Sequence, residues 1–393
     1  MEKQKFREEL LANLQDNILP YWIDTMQDPA GGFYGRRASG DVLHADAPKG
    51  AILNARILWS FSAAFRSLKR QEYLTVATRA FRYLADNFVD REYGGVYWSL
   101  NADGTPLDTK KQFYAIGFAI YGLSEYYLAS GDDEALALAK SLFRDIVDHS
   151  RDAALGGYVE AATRDWKPIQ DMRLSDKDAN SAKTMNTHLH IIEPFTNLLR
   201  AWRDPELLAL TRELLDIFLG KILDAETGHL GLFFSNEWKR EDAIYSYGHD
   251  IEASWLLLET AQVIGDPALT ERTLAATKKI ADASFEGLTE DGAMIYEREG
   301  NGHLDTDRHW WVQAEAVIGQ LYLWKYHGEA DMLGRAYRTW EYIRDNIVDN
   351  EGGEWHWRRS AEGHLYPADD KAGFWKCPYH NTRMVLESAR LLE

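Results

Sequence analysis

A single cysteine, Cys377, occurs in 393 residues, which excludes a disulfide framework and any multi-cysteine metal site. Apolar runs of membrane-spanning length are missing as well. Positive charge is in deficit: 44 Lys and Arg stand against 62 Asp and Glu, a formal charge of −18. No basic stripe offsets it, so nucleic acid is not an expected partner. An anionic substrate is disfavoured on average, although a local arginine cluster could still bind one. The N-terminus, Met1-Glu2-Lys3-Gln4-Lys5, leads directly into a helical pattern without the apolar core of a secretory signal. A soluble, cytoplasmic protein with no membrane attachment is expected.

Aromatic residues are abundant. Fourteen tryptophans and twenty tyrosines exceed what core filling requires, and an apolar fraction of 45% already supplies a large core. Some of these rings are expected to line a carbohydrate cleft, where apolar sugar faces stack on flat rings; others are core layers.

A chain of this length would ordinarily suggest two or three domains, but an internal repeat points to a single closed one. Asp28-Pro29-Ala30-Gly31-Gly32-Phe33-Tyr34, Tyr93-Gly94-Gly95-Val96-Tyr97-Trp98 and Leu155-Gly156-Gly157-Tyr158 share one pattern. Gly228-His229-Leu230-Gly231-Leu232-Phe233 and Asp291-Gly292-Ala293-Met294-Ile295-Tyr296 are looser copies, and Gly352-Gly353-Glu354-Trp355-His356-Trp357 closes the set. The copies lie roughly 60 to 75 residues apart. Each reads as a glycine turn followed by an alternating aromatic strand, a short hairpin. Between copies lie pairs of helix-length segments, as in the spacing of Ile52, Leu53, Ile57, Leu58 and Phe61, then of Tyr73, Val76, Ala77, Phe81 and Leu84. Breakers such as Gly131-Asp132-Asp133, Asp204-Pro205 and Gly265-Asp266-Pro267 separate the members of a pair. With one helix opening the chain and one ending it, the count is twelve.

Twelve helices in six pairs can form an open solenoid or an all-α, closed (α/α)6 barrel. An open array needs polar capping repeats. The last helix here is apolar and aromatic, so one closed barrel domain spanning residues 1–393 is expected.

One helix set begins near 50, 112, 186, 248, 310 and 376, all at the same end of such a barrel. Its first turns carry Arg56, Tyr114, His188, His249, Trp310-Trp311 and His380. If this set is the inner one, these side chains converge on a single pocket. Within Ser246-Tyr247-Gly248-His249-Asp250-Ile251-Glu252, Glu252 lies one turn after His249 and is expected to orient it as a general base. His188 and His190 are about 200° apart on a helix and cannot both face one ion. No His-Glu-x-x-His motif is present; a three-histidine catalytic zinc stays a geometric alternative, but neither metal nor cofactor is expected. His44, His149, His303 and His364 fall in loops or at outer-helix ends and are read as structural or solvated.

At these positions the sequence resembles the cellobiose 2-epimerases of the wider N-acylglucosamine 2-epimerase superfamily. The resemblance rests on Lys183-Thr184-Met185-Asn186-Thr187-His188-Leu189-His190, Tyr247-Gly248-His249-Asp250-Ile251-Glu252, Trp310-Trp311-Val312-Gln313-Ala314-Glu315 and Trp375-Lys376-Cys377-Pro378-Tyr379-His380. Asn54-Ala55-Arg56 and Gln112-Phe113-Tyr114 extend it over essentially the whole chain. It implies an (α/α)6 barrel that inverts C2 of a reducing-end glucose without metal or nucleotide. His249 and His380 become the acid/base pair, His188 assists ring opening, and Arg56 stabilises the enediolate. Tyr114, Asn186 and Asp176 are hydrogen-bonding candidates, and Trp311, Trp375 and Trp310 are sugar-contacting candidates. An imidazole pKa near 6.5 would let both protonation states coexist at neutral pH.

A glycoside hydrolase on the same barrel would need two carboxylates flanking the bond, whereas histidines occupy the convergent positions. A monosaccharide mannose 2-epimerase, an aldose–ketose isomerase and a non-catalytic sugar-binding protein remain alternatives at this point. The expected partner is a small carbohydrate, and the protein is expected to be a monomer or a weak homo-oligomer.

Overall fold

The computed structural model describes residues 2–393. Twelve helical segments run in antiparallel pairs. Helix α1 comprises Lys3–Asn13, a π turn at Leu14–Ile18 and Leu19–Thr25; α2 is Ala51–Leu68; α3 is Gln71–Tyr83, prolonged by a π turn at Leu84–Phe88. Then follow α4 (Phe113–Ser130), α5 (Asp133–His149), α6 (Met185–Ala201), and α7 (Pro205–Ile217 with a π turn at Phe218–Ile222). The remainder are α8 (Tyr247–Ile264), α9 (Pro267–Ser284), α10 (Trp310–Tyr326), α11 (Met332–Tyr342 with a π turn at Ile343–Ile347) and α12 (Tyr379–Leu391).

The even-numbered helices form the inner ring, each packed on the next, and α12 closes on α2. Their sequences explain the layer. Residues 51–64 of α2 and 113–126 of α4 are buried without interruption, because these helices are covered on every side. The outer helices are amphipathic: α5 buries Ala135, Leu136, Ala139, Leu142, Phe143 and Ile146 at helical spacing and leaves its other face to solvent.

The turns between partners follow local chemistry. Inner helices stop at left-handed residues, Lys69, Gly131 and Gly265. Outer helices start on aspartate caps: the side chains of Asp132, Asp204 and Asp266 each accept two backbone N–H bonds, with proline next in line after the last two.

At the other end of the barrel, six short hairpins mark the repeat, bridged at Gln27–Phe33, Val89–Val96, Arg151–Tyr158, Leu223–Leu230, Leu288–Met294 and Val348–Trp355. The hairpins are tighter than the sequence suggested. The strand leaving each one pairs instead with the strand that leads into the preceding inner helix: Lys49–Gly50 pairs with Ser99–Leu100, and Lys111–Gln112 with Ala161–Ala162. Lys183–Thr184 pairs with Phe233–Phe234, and the circle closes where Arg37–Ala38 meets Asp370–Ala372. Buried ion pairs repeat with it: Lys49–Asp28 at 2.6 Å, Lys111–Asp90 at 2.9 Å and Lys183–Asp152 at 2.9 Å. First and last repeats are thus joined by both helix packing and strand pairing, which closes the ring. Among the described residues no helix is long and apolar enough to cross a membrane.

Candidate active site

Inner-helix register decides which side chains meet on the barrel axis. The second and sixth residues of an inner helix lie one above the other. They are Tyr114 and Phe118 on α4, Asn186 and His190 on α6, Gly248 and Glu252 on α8, and Trp311 and Glu315 on α10. Arg56 is sixth on α2, and His380 is second on α12. Gly248 leaves room at its position for the Trp311 ring, and His249 lies beside it. Arg56, Tyr114, Asn186, His190, His249, Glu252, Trp311 and His380 line one cavity of about 500 Å³. Its rim is completed by Asp176 from the loop before α6 and by Trp375.

Four histidines line this cavity; His309 stacks on Tyr296 at 4.2 Å, and the other three each have Nδ1 engaged. Nδ1 of His380 lies 2.7 Å from Oε1 of Glu315. Nδ1 of His190 lies 3.0 Å from Oε2 of Glu193. Nδ1 of His249 lies 2.8 Å from Oγ of Ser246. Nε2 is left in every case as the nitrogen that can meet a ligand. Burial pushes His190 and His249 down to about 3. It pushes His380 well below the usual imidazole range, with Arg56, Arg383 and the other two histidines adding to the effect. All three rings are therefore neutral at ordinary pH. The expected coexistence of both protonation states does not hold, because a desolvated imidazolium is costly.

Arg56 is the buried cation of the pocket, whose lining also includes Lys177 and Arg358. Its Nη2 donates to the Tyr114 hydroxyl at 2.9 Å, and its guanidinium carbon lies 4.2 Å above the Phe118 ring. Among the described residues it has no carboxylate partner, and its buried Nε makes no hydrogen bond. A buried guanidinium held on rings and a phenol keeps its charge available for a ligand oxygen.

Aromatic rings wall the space between the bases. The Trp311 ring lies 4.8 Å from that of His249 and 5.7 Å from that of His380. Trp375 packs edge-on against Tyr114 at 6.0 Å. Trp310 is buried on Trp357 and lies beneath Lys376, so it supports the wall more than it presents a face.

Two sequence-based assignments are corrected. His188 is outside the cavity: it is fully buried, its Nδ1 lies 2.6 Å from the Thr184 carbonyl, and its Nε2 accepts the backbone N–H of Tyr158 at 3.0 Å. It is fourth on its helix, and the fourth residues of α8 and α10 do the same job. Asp250 accepts from the N–H of Leu230, and Gln313 accepts from that of Met294. His188 is a brace for the third hairpin, and His190, two residues on, faces the axis. Glu252 does not orient His249 either; its Oε1 accepts from Nη2 of Arg383 at 2.5 Å, and Ser246 holds the ring. Asp176 is at the rim with a fully exposed side chain. Asn186 is half-buried, and its Oδ1 has no partner.

His190, Glu193, Glu315, Ser246 and Arg383 were missed. A signal existed for His190: it shares the sixth position with Arg56, whereas His188 does not. None existed for Arg383, whose partners lie 68, 131 and 190 residues away in the chain. Glu252, Glu315 and His380 bring ligand-type atoms within 4.8 Å of one another. Arg383 donates to both carboxylates, so the cation of this cluster is a guanidinium and these residues are not assigned as metal ligands.

A second cavity of about 680 Å³ opens at the C-terminal ends of the inner helices. Arg66, Arg200 and Arg390 there are each paired with a glutamate, and none of the three site histidines reaches it.

Comparison with known proteins agrees with this fold. The sequence profile of the N-acylglucosamine 2-epimerase (GlcNAc 2-epimerase) family matches residues 31–383. The chain is 56% identical to a cellobiose 2-epimerase of Bacteroides fragilis over 383 residues, covering 97% of this chain and 98% of that protein. It is 40% identical to a cellobiose 2-epimerase of Ruminococcus albus over 380 residues, covering 96% and 97%. The solved structure of a cellobiose 2-epimerase from Bacillus thermoamylovorans superposes with a TM-score of 0.94 at 38% identity, covering 98% of this chain and 99% of that one.

Proposed function

The chain belongs to the N-acylglucosamine 2-epimerase family and is a carbohydrate epimerase, an isomerase; from that premise we propose that it inverts C2 of the reducing-end glucose of β-1,4-linked disaccharides such as cellobiose. The observation that carries this reading is the convergence of three neutral imidazoles with free Nε2 atoms on a cavity that also holds the unpaired Arg56 guanidinium. The cavity volume of about 500 Å³ falls within the range of roughly 300–1,000 Å³ usual for small-molecule sites. The relatives named cellobiose 2-epimerase support the choice of a disaccharide.

The chemistry sets three demands. The sugar ring must open, because a C2 hydrogen is acidic only beside an aldehyde. A base must remove that hydrogen while positive charge and donors stabilise the enediolate. A proton must then reach the opposite face of C2. His249 and His380 are the two bases, flanking Trp311. His190, in place of His188, assists ring opening near O1 and O5. Arg56, with the Tyr114 hydroxyl bonded to it, stabilises the enediolate oxygens. Trp311 and Trp375 offer flat faces to the sugar.

Incubation with cellobiose, mannobiose, glucose and mannose in deuterated water, followed by product separation, tests this. Glucosyl-mannose carrying deuterium at C2 is expected from cellobiose. Release of free glucose, a ketose as main product, or absence of label at C2 would each overturn the reading.

A further inference from the structure

Behind the histidines lies a second tier of charge that the scheme above does not use. Arg383, on α12 one turn below His380, is buried, with its side chain 1% exposed. It donates through Nη1 to Glu193 on α6, and through Nη2 to Glu252 on α8 at 2.5 Å and to Glu315 on α10 at 2.6 Å. Glu193 also accepts from the Tyr379 hydroxyl, and Oε2 of Glu315 accepts from Nε1 of Trp255 at 2.9 Å. Glu193 and Glu315 each hold Nδ1 of a site histidine, His190 and His380. The charged and titratable groups facing this tier from the remaining inner helices are Arg56 on α2, Tyr114 and Tyr121 on α4, and His249 on α8.

Three carboxylates are bonded to one guanidinium, Arg383; Arg56 is bonded to none of them and acts on the group only through space, and the site histidines are neutral. Fully ionised, the group would carry, even with Arg56 counted, one excess negative charge out of contact with water, which a low-dielectric interior relieves by keeping one proton. Burial raises both Glu193 and Glu315, the latter to about 8. Glu193 has a phenol and a guanidinium on one oxygen, which favour its ionised form. Glu315 shares its guanidinium nitrogen with Glu252, and its other oxygen has only a neutral indole.

We propose that Glu315 holds this proton and that Glu315 and His380 together form a two-site relay in which His380 changes tautomer instead of becoming an imidazolium. In the donating direction, the Nε2–H proton of His380 passes to C2 of the enediolate, forming the C–H bond. The Glu315 O–H proton passes to Nδ1, and Glu315 is left as a carboxylate on Arg383. In the accepting direction Nε2 takes the C2 proton and Nδ1–H returns its proton to Glu315. One proton enters and one leaves the imidazole in each step. The relay explains how a ring that burial keeps neutral can act as an acid. It rests on the reading of His380 as one of the two C2 bases. Glu315 itself is a positioning and proton-holding residue that acts through His380.

Nitrogen-15 NMR of the histidine-labelled protein tests the relay without substrate, with His380 identified by the signal lost in His380→Gln. The expected result is an Nε2–H tautomer at pH 6 that converts to Nδ1–H as Glu315 ionises towards pH 9 to 10. An Nδ1–H tautomer throughout would overturn the proposal. Glutamine at position 315 can still accept from Nδ1–H, so a merely orienting carboxylate would be replaced by it. The relay instead requires that Glu315→Gln lower kcat by about 10²–10⁴ with KM within roughly threefold, and remove the alkaline limb of the pH profile. Wild-type-like kcat or a retained alkaline limb in Glu315→Gln would refute it, and the NMR result decides if that variant does not fold. A wild-type protein that shows the tautomer change but exchanges no C2 proton would sink the epimerase reading and the transfer to C2, and leave only the proton shared between Glu315 and His380 standing.

Discussion

The backbone N–H of Tyr158 donates to Nε2 of His188 at 3.0 Å, which ties the third hairpin to the inner helix behind it. This bond separates two histidines only two residues apart. His188→Ala leaves a buried donor unsatisfied and a void, and is expected to cost about 2–4 kcal/mol of stability. C2 proton exchange per folded molecule should be retained within a few-fold. His190→Ala should fold like the parent protein and lose turnover by about 10²–10⁴. Thermal melts and deuterium incorporation measured side by side check both, and the reverse pattern would contradict the assignment.

His249→Ala and His380→Ala should each abolish inversion at C2, because one face of the sugar loses its base, while the remaining histidine still exchanges the C2 proton of the one epimer it faces in deuterated water. Retained inversion, or exchange with both epimers, in either variant would rule out the two-histidine scheme.

Arg56 has no acid bonded to it, and in the proposed scheme its charge is directed at the ligand. Arg56→Gln is expected to lower kcat by about 10²–10³, the usual cost of removing an oxyanion donor. Arg56→Lys should fall between, since an ammonium keeps the charge but not the planar fork. Steady-state kinetics on cellobiose measure this. A change in KM alone would assign Arg56 to ground-state binding.

Gly248 is required by a close approach and not by its backbone angles. A Cβ there would sit 2.6 Å from the Trp311 ring and 2.7 Å from the Val312 side chain. Gly248→Ala therefore has to move the indole that lies between His249 and His380. A loss of about 1–3 kcal/mol in stability is expected from overpacking. A misplacement of that order at the reacting centre also costs up to about 10² in rate. Unchanged turnover would show that Trp311 does not set the spacing of the two bases.

Acid and base act on stability in opposite senses. Burial lowers His188 to about 4 and His190, His249 and His309 to about 3. In the unfolded chain they titrate near 6.5, so between those values the unfolded state binds more protons and stability falls as pH drops below about 6.5. Glu160, buried on Thr184 and Thr187 without a cation, is raised by burial to about 8. Its contribution is fully present below about 4.5, the unfolded value, and is lost as pH rises through 8. Denaturant melts from pH 5 to 8.5 should show Glu160→Gln gaining on the parent protein as pH rises. A constant difference across that range would count against a protonated Glu160.

The barrel was legible in the sequence because its causes are local. Glycine turns such as Gly94-Gly95, the apolar spacing of helices such as Ala51–Leu68, and breakers such as Asp204-Pro205 each act over a few residues, and their six-fold recurrence implies a closed ring. Arg56, His249 and His380 were legible for the same reason, since each stands near the start of an inner helix. Which side of a helix faces the axis is a different matter. It depends on rotation about the helix axis, which packing against two neighbours decides, and α6 departs from regular geometry at His190 (φ −92°, ψ 15°) ahead of Pro194. That rotation turned His188 outward and brought His190 in. The sequence alone thus determined the repeat, the closed barrel and the helices that carry the chemistry. Only the tertiary structure decided that Ser246 and not Glu252 holds His249, and that Arg383 gathers Glu193, Glu252 and Glu315. The Arg383 contacts join residues from four helices, and no local rule of spacing encodes them; the Ser246 contact spans only three residues.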